Sequence, residues 1–373
     1  MIKNIIKVVL VICVVLFASC STKKEVIKKT TSTTRSTSDY YITAMEYAAA
    51  FEKSGFLDMD KYRLAEELFN RVVYVEKGDS DVWFNMGRLF FYAGEYNKAR
   101  ESFKEAIKYR KSFVEAYSML AKTYLVDGSK ESALGVMLKA NESIPNNEVL
   151  MNNTSLVYIE MGSLNNAKKL SEKIIKNNPK FIPAYITLGN VYYIQKKYEK
   201  ARFIYLKALD EGGDSGEIYT NIGLVTSKIE GKNQSYDLLK KGRDKSPNNP
   251  YARLNLGEFY LSSGDYENAI TEFKVAIKLN PRLVEALVNI GVAYTQVGMF
   301  DEAKESYERA ILYNPSYPES YFNYGILLGD YMLNAKDALG MFKKFVAIKS
   351  GQIKDNHVVY KYISDLNKKV KVN

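Results

Sequence analysis

From residue 80 onward, apolar and small residues return at a fixed interval. In a 34-residue frame counted from Ser80, successive units begin at Val114, Glu148, Ile182, Gly216, Pro250, Val284 and Pro318. Positions 4, 7, 8 and 11 of each unit share one face of a helix, and positions 20, 24 and 27 share one face of a second. The pattern therefore predicts a helical hairpin per unit, repeated eight times.

Position 8 is Gly87, Ala121, Ser155, Gly189, Gly223, Gly257, Gly291 and Gly325, and position 20 is alanine or serine, from Ala99 to Ala303. The last unit needs one extra residue to reach Ala338. A glycine in mid-helix costs about 1 kcal/mol against alanine, so its recurrence implies a close approach, expected from the alanine at position 20. Gly94, Gly128, Gly162, Gly264 and Gly298 at position 15 suit the left-handed end of the first helix. Pro145, Pro179, Pro247, Pro281 and Pro315 at position 32 stop the second.

These residue types at these offsets, with Trp83 at position 4 and Tyr124, Tyr158, Tyr192, Tyr260 and Tyr294 at position 11, resemble the tetratricopeptide repeat. The resemblance implies an all-α superhelical solenoid. Residues 40–79 resemble one more, degenerate pair, with Ala48 and Ala65 in the small-residue roles. Val359, Ile363, Leu366 and Val370 are spaced for one stripe of a closing helix, since end units of a solenoid need a polar outer face. About nine helix pairs over residues 40–350, with a capping helix in 351–373, form the expected architecture.

Ahead of the repeats, residues 1–19 read as an export signal: Lys3 and Lys7 precede eleven uncharged, mostly apolar residues, too few for the roughly 20 a membrane-spanning helix needs. The junction FASC resembles the lipobox of bacterial lipoproteins, with Phe17 where that family prefers leucine. The resemblance implies that Cys20 is lipidated and becomes the first residue of the mature chain. Cys13 would leave with the signal, so no thiol would remain for disulfides, catalysis or metal binding. Residues 20–39, rich in Ser, Thr and Lys, then form a tether with a root-mean-square span of roughly 25 Å.

Charge changes little in this picture. The net charge of +10 comes mostly from the signal, the tether and residues 351–373, leaving the repeats close to neutral. That distribution suits anionic membrane surfaces and argues against nucleic acid. One histidine, His357, stands near the start of the closing helix, where a capping role is expected. DMD at 58–60 and GDSD at 78–81 read as helix-start chemistry. No phosphate loop, carboxylate pair or nucleophile motif appears, so neither enzymatic activity nor a cofactor or metal is expected.

Function is thus sought on the face turned away from the partner helix. Position 6 holds Asn85, Asn153, Asn221, Asn255, Asn289 and Asn323, although asparagine is a poor mid-helix residue. The row resembles the asparagine ladder of the O-linked N-acetylglucosamine transferase superhelix, which implies a concave groove holding a peptide backbone; the alternative is a simple habit of the repeat. Val288, Val292, Phe322 and Ile326 are the apolar neighbours expected to contact the same partner. Position 5 carries no lysine, so the carboxylate clamp of chaperone-binding repeats is absent.

The leading expectation is a lipid-anchored scaffold binding an exported protein segment or helix, similar in plan to envelope adaptor lipoproteins. A pilotin-like assembly factor for a secretin and a carrier of a small apolar ligand are the rivals. Ser21 after the lipid cysteine favours an outer-membrane address facing the periplasm.

Overall fold

A computed structural model describes residues 36–56, 58–353 and 357–372. The expected signal peptide, Cys20 and most of the tether lie outside these residues. Among those described, nineteen α-helices and no strand occur. Nine consecutive helix pairs and a terminal helix match the expected solenoid.

Internal contacts divide the chain into two compact units at Gly213. The first unit contains α1 (Thr37–Lys53), α2 (Met59–Val75), α3 (Ser80–Ala93), α4 (Tyr96–Tyr109), α5 (Val114–Val126), α6 (Lys130–Ser143), α7 (Glu148–Glu160), α8 (Leu164–Asn177), α9 (Ile182–Ile194) and α10 (Tyr198–Asp210). The second contains α11 (Gly216–Ile229), α12 (Tyr236–Lys245), α13 (Pro250–Ser262), α14 (Tyr266–Leu279), α15 (Val284–Gln296), α16 (Phe300–Tyr313), α17 (Pro318–Ile326), α18 (Ala335–Ile348) and α19 (Val358–Val372). At the division, position 32 holds Gly213 in place of the usual proline, and Gly212 takes a φ of 94°.

Helix boundaries follow local chemistry. The five glycines at position 15 all take positive φ, 74° to 84°. Asp58, Asp79, Asn147, Asn249, Asp265 and Asn334 accept backbone N–H groups at helix starts, each cap contributing about 1 kcal/mol. His357 accepts the backbone N–H of Val359 on Nδ1 at 3.2 Å, as a capping role requires.

Three details depart from the sequence reading. The tether was expected to run to Asp39, but Ser36 and Asp39 form a reciprocal capping box that starts α1 at Thr37. Within α1 it is Ala44, not Ala48, that is fully buried. The close approach to the position-8 glycines comes not from the alanine at position 20 but from the large side chain at position 24. A Cβ on Gly87 would stand 2.7 Å from the Phe103 ring, and one on Gly291 would stand 2.7 Å from Tyr307. A ring spans the gap between paired helices, which a methyl group does not.

That arrangement supplies the core. Phe103, Tyr205, Phe273, Tyr307 and Phe342, all at position 24, are at most 1% exposed, and each such burial stabilises by about 1.5–3 kcal/mol. The extra residue of the last unit is absorbed by a π-helical turn at Leu327–Tyr331, closed by Met332 N–H donating to Leu327 O at 3.0 Å. On α19, Val359 and Leu366 are buried and Ile363 packs beside them, whereas Val370 is exposed.

Candidate protein-binding face

In the first unit, position-6 side chains link α3, α7 and α9 to the first helix before each. Asn85 Nδ2 donates to Tyr41 Oη at 2.8 Å and to Asp81 O at 3.0 Å. Asn153 Nδ2 donates to Ser118 Oγ at 2.8 Å, and Thr187 Oγ1 donates to Asn152 Oδ1 at 2.9 Å. The three bonds between helices are buried or half-buried, so here Asn85 and Asn153 tie stacked helices together, whereas the Asn85–Asp81 bond is exposed and lies within α3. The row was expected to be free along its length, but α3, α7 and α9 pack so closely on their predecessors that position 6 falls within the contact.

In the second unit the register divides. Asn289 Nδ2 donates to Glu258 Oε1 at 2.9 Å, linking α15 to α13. Asn323 Nδ2 donates within its own helix to Glu319 O at 2.9 Å. Asn221 and Asn255 are 9% and 7% exposed, and neither Nδ2 has a hydrogen-bond acceptor among the described residues. An amide N–H closed off without a partner is unfavourable by about 1–3 kcal/mol.

The predicted apolar neighbours divide. Val288 is only 3% exposed and belongs to the core, which removes it from any surface a partner touches. Phe322 is half-buried, its ring centroid 5.1 Å from that of Phe345 and 6.1 Å from that of His357. Phe322 is thus held by α18 and the start of the closing helix. Val292 and Ile326 remain half-buried, packed against the core from the outside.

Carboxylates at positions 2 and 9 were missed by looking at one offset at a time. Glu217, Glu285 and Glu319 occupy position 2 of their units and Glu258 position 9, on the side of the first helix that carries position 6. Burial pushes the Glu217 carboxyl up to about 7. Burial also pushes Glu258 up to about 7, reinforced by the charge of Glu285 and opposed by the Asn289 amide and Lys228. Glu285 is raised by burial, opposed by its own backbone N–H and reinforced by Glu319. The phenol of Tyr317 is raised first by burial and then by the negative charge of Glu285, Glu319 and Glu258. Among the described residues, the one nearby ion pair joins Lys349 Nζ to Glu319 Oε1 at 3.7 Å.

A structural carboxylate in the same unit looks quite unlike these. Glu272, 5% exposed, accepts from Arg243 Nη1 at 2.6 Å and from Arg253 Nη1 at 2.9 Å. There two guanidinium groups compensate the lost hydration of one anion.

Comparison with known families matches "TPR repeat" over residues 87–128 and 257–298 and "Tetratricopeptide repeat" over 182–211 and 284–317. The chain is 23% identical over 227 residues to "BBSome complex member BBS4" of Bos taurus, covering 61% of this chain and 44% of that protein. It is 22% identical over 235 residues to "Tetratricopeptide repeat protein 8" of Caenorhabditis elegans, covering 62% and 46%. The chain thus spans less than half the length of these relatives. Among solved structures, the Cut9–Hcn1 hetero-tetramer of the APC/C aligns at a TM-score of 0.57 and 14% identity, over 89% of this chain and 67% of that one. Repeats and architecture together show an all-α solenoid built of tetratricopeptide repeats.

Proposed function

We propose that this protein is a lipid-anchored scaffold, not an enzyme, whose first-helix face in residues 214–373 holds a segment of another exported protein. The observation that carries the reading is the buried, acceptor-free amide of Asn255 and of Asn221, in register with Asn289 and Asn323 and beside Val292 and Ile326. A passing backbone carbonyl would satisfy such a donor once its side chain turns outward. In the first unit the corresponding donors are already used internally, and in the second those of Asn289 and Asn323 are used too, so the backbone-holding role is assigned to Asn221 and Asn255, with Val292 and Ile326 as apolar neighbours.

Cys20 would carry the lipid and hold the scaffold at the outer membrane, facing the periplasm; the support is the FASC junction and the serine after it. Among the described residues no helix is long and apolar enough to cross a membrane. Two measurements test the two halves. Fatty-acid labelling and membrane association should vanish in Cys20→Ser; a variant still labelled refutes the anchor. A photo-crosslinking residue at Ile326 should capture a defined exported protein that one at Leu312, an exposed second-helix position, does not. Equal capture from both positions, or from neither, would remove the binding face.

A further inference from the structure

We infer that the first-helix face of residues 214–373 selects a basic partner: an extended protein segment whose lysine or arginine side chain seats among Glu258, Glu285 and Glu319, its backbone carbonyls taking the amides of Asn255 and Asn221. The inference rests on the protein-binding reading above and narrows it to one partner chemistry.

Glu258 on α13, Glu285 on α15 and Glu319 on α17 stand on the same side of successive first helices, and Asn289 of α15 reaches across to Glu258 at 2.9 Å; in keeping with that placement, the charge of Glu285 raises the Glu258 carboxyl and that of Glu319 raises Glu285. Among the described residues the cations that bear on them are few. Lys349 is committed to Glu319, and Lys228 influences Glu258 without forming an ion pair with it among the described residues. Glu272 shows how this chain treats a buried carboxylate that serves only the fold, surrounding it with Arg243 and Arg253. Glu258 has a single amide donor, from Asn289, and Glu285 has no ion pair among the described residues. Half-buried anions crowded without cations are unfavourable, and a cation from outside relieves both the lost hydration and the mutual repulsion.

An independent feature points to the same occupant. Asn255 stands one helical turn before Glu258 on the same face of α13 and is 7% exposed with its donor unfilled. Where Asn289 finds Glu258 in the preceding unit, Asn255 has Leu224 at the corresponding position, which offers no acceptor. Carboxylates that lack cations and amides that lack carbonyls, adjacent on one face, are the complement of a basic peptide in extended form. An acidic or purely apolar segment would leave the first group uncompensated.

The test is a random twelve-residue peptide library displayed on phage and selected against the full chain. Lysine or arginine should be enriched at least ten-fold at one position of the selected peptides. Replacing that residue by norleucine in a synthetic peptide should weaken binding at least ten-fold, and Glu258→Gln/Glu285→Gln should abolish the preference. The norleucine comparison uses the wild-type protein, so it stands even where the double variant folds poorly. Selected peptides with no basic preference, or one indifferent to both carboxylates, would overturn the inference and leave the protein-binding face intact. If no peptide is selected by a natively folded chain, both fall. A synthetic peptide of residues 21–35 that binds with the same dependence on Glu258 and Glu285 would make this chain's own basic segment the occupant and overturn the assignment to a separate partner.

Discussion

The ring of Phe273 lies so close to the backbone of Gly257 that a Cβ on that glycine would come within 2.5 Å of it. Glycine is needed there for space and not for backbone freedom, since α13 runs through the position as ordinary helix. Gly257→Ala should therefore destabilise by about 1–3 kcal/mol despite the better helix propensity of alanine. Gly135 in α6 meets nothing within 4 Å, so Gly135→Ala should gain about 0.5–1 kcal/mol. Chemical denaturation of both variants checks the pair; the same sign for both would contradict the packing described.

Glu272 holds Arg243 of α12 and Arg253 of α13 from its place on α14. Glu272→Leu should leave two guanidinium groups facing each other without an anion, costing about 3 kcal/mol or somewhat less because the arginines are partly exposed. The loss should appear as a lower denaturation midpoint that Glu272→Gln only partly restores. A neutral Glu272→Leu would show that the arginines find other partners.

The asparagine register separates into structural and unfilled members. Asn153→Ala removes a buried bond to Ser118 and should cost about 1 kcal/mol. Asn255→Ala removes a donor that has no acceptor and should be neutral or stabilising, because alanine is the better helix former. Thermal unfolding of the two variants side by side distinguishes these outcomes, and an equal loss in both would make the whole row structural.

The carboxyls of Glu217 and Glu258, raised to about 7, give a pH dependence of defined sign. A carboxyl raised in the folded state binds its proton more tightly there than in the unfolded chain. Its contribution to stability is therefore fully present below the unfolded value near 4.3 and is lost as pH rises through about 7. Glu217→Gln/Glu258→Gln should accordingly be more stable than wild type at pH 8, with the advantage shrinking towards pH 5. A stability difference that does not change between these pH values would mean that both carboxyls titrate normally.

The sequence by itself determined the repeat length, the helix pairs and most of their ends. These follow from residues acting within a turn or two of chain: left-handed Gly94 and Gly298, the prolines at position 32, and caps such as Asp79. Such local signals need no knowledge of what packs where. Only the tertiary structure decided which side chains meet. It placed Phe103 and Tyr307, not the alanines at position 20, against the position-8 glycines, and buried Val288 in the core. It also used Asn85 and Asn153 as links between stacked helices while leaving Asn221 and Asn255 unfilled. Periodicity assigns a residue to a face of its own helix. Whether that face meets solvent, another helix or a carboxylate depends on how closely neighbouring first helices approach, which is set by packing across units far apart in sequence.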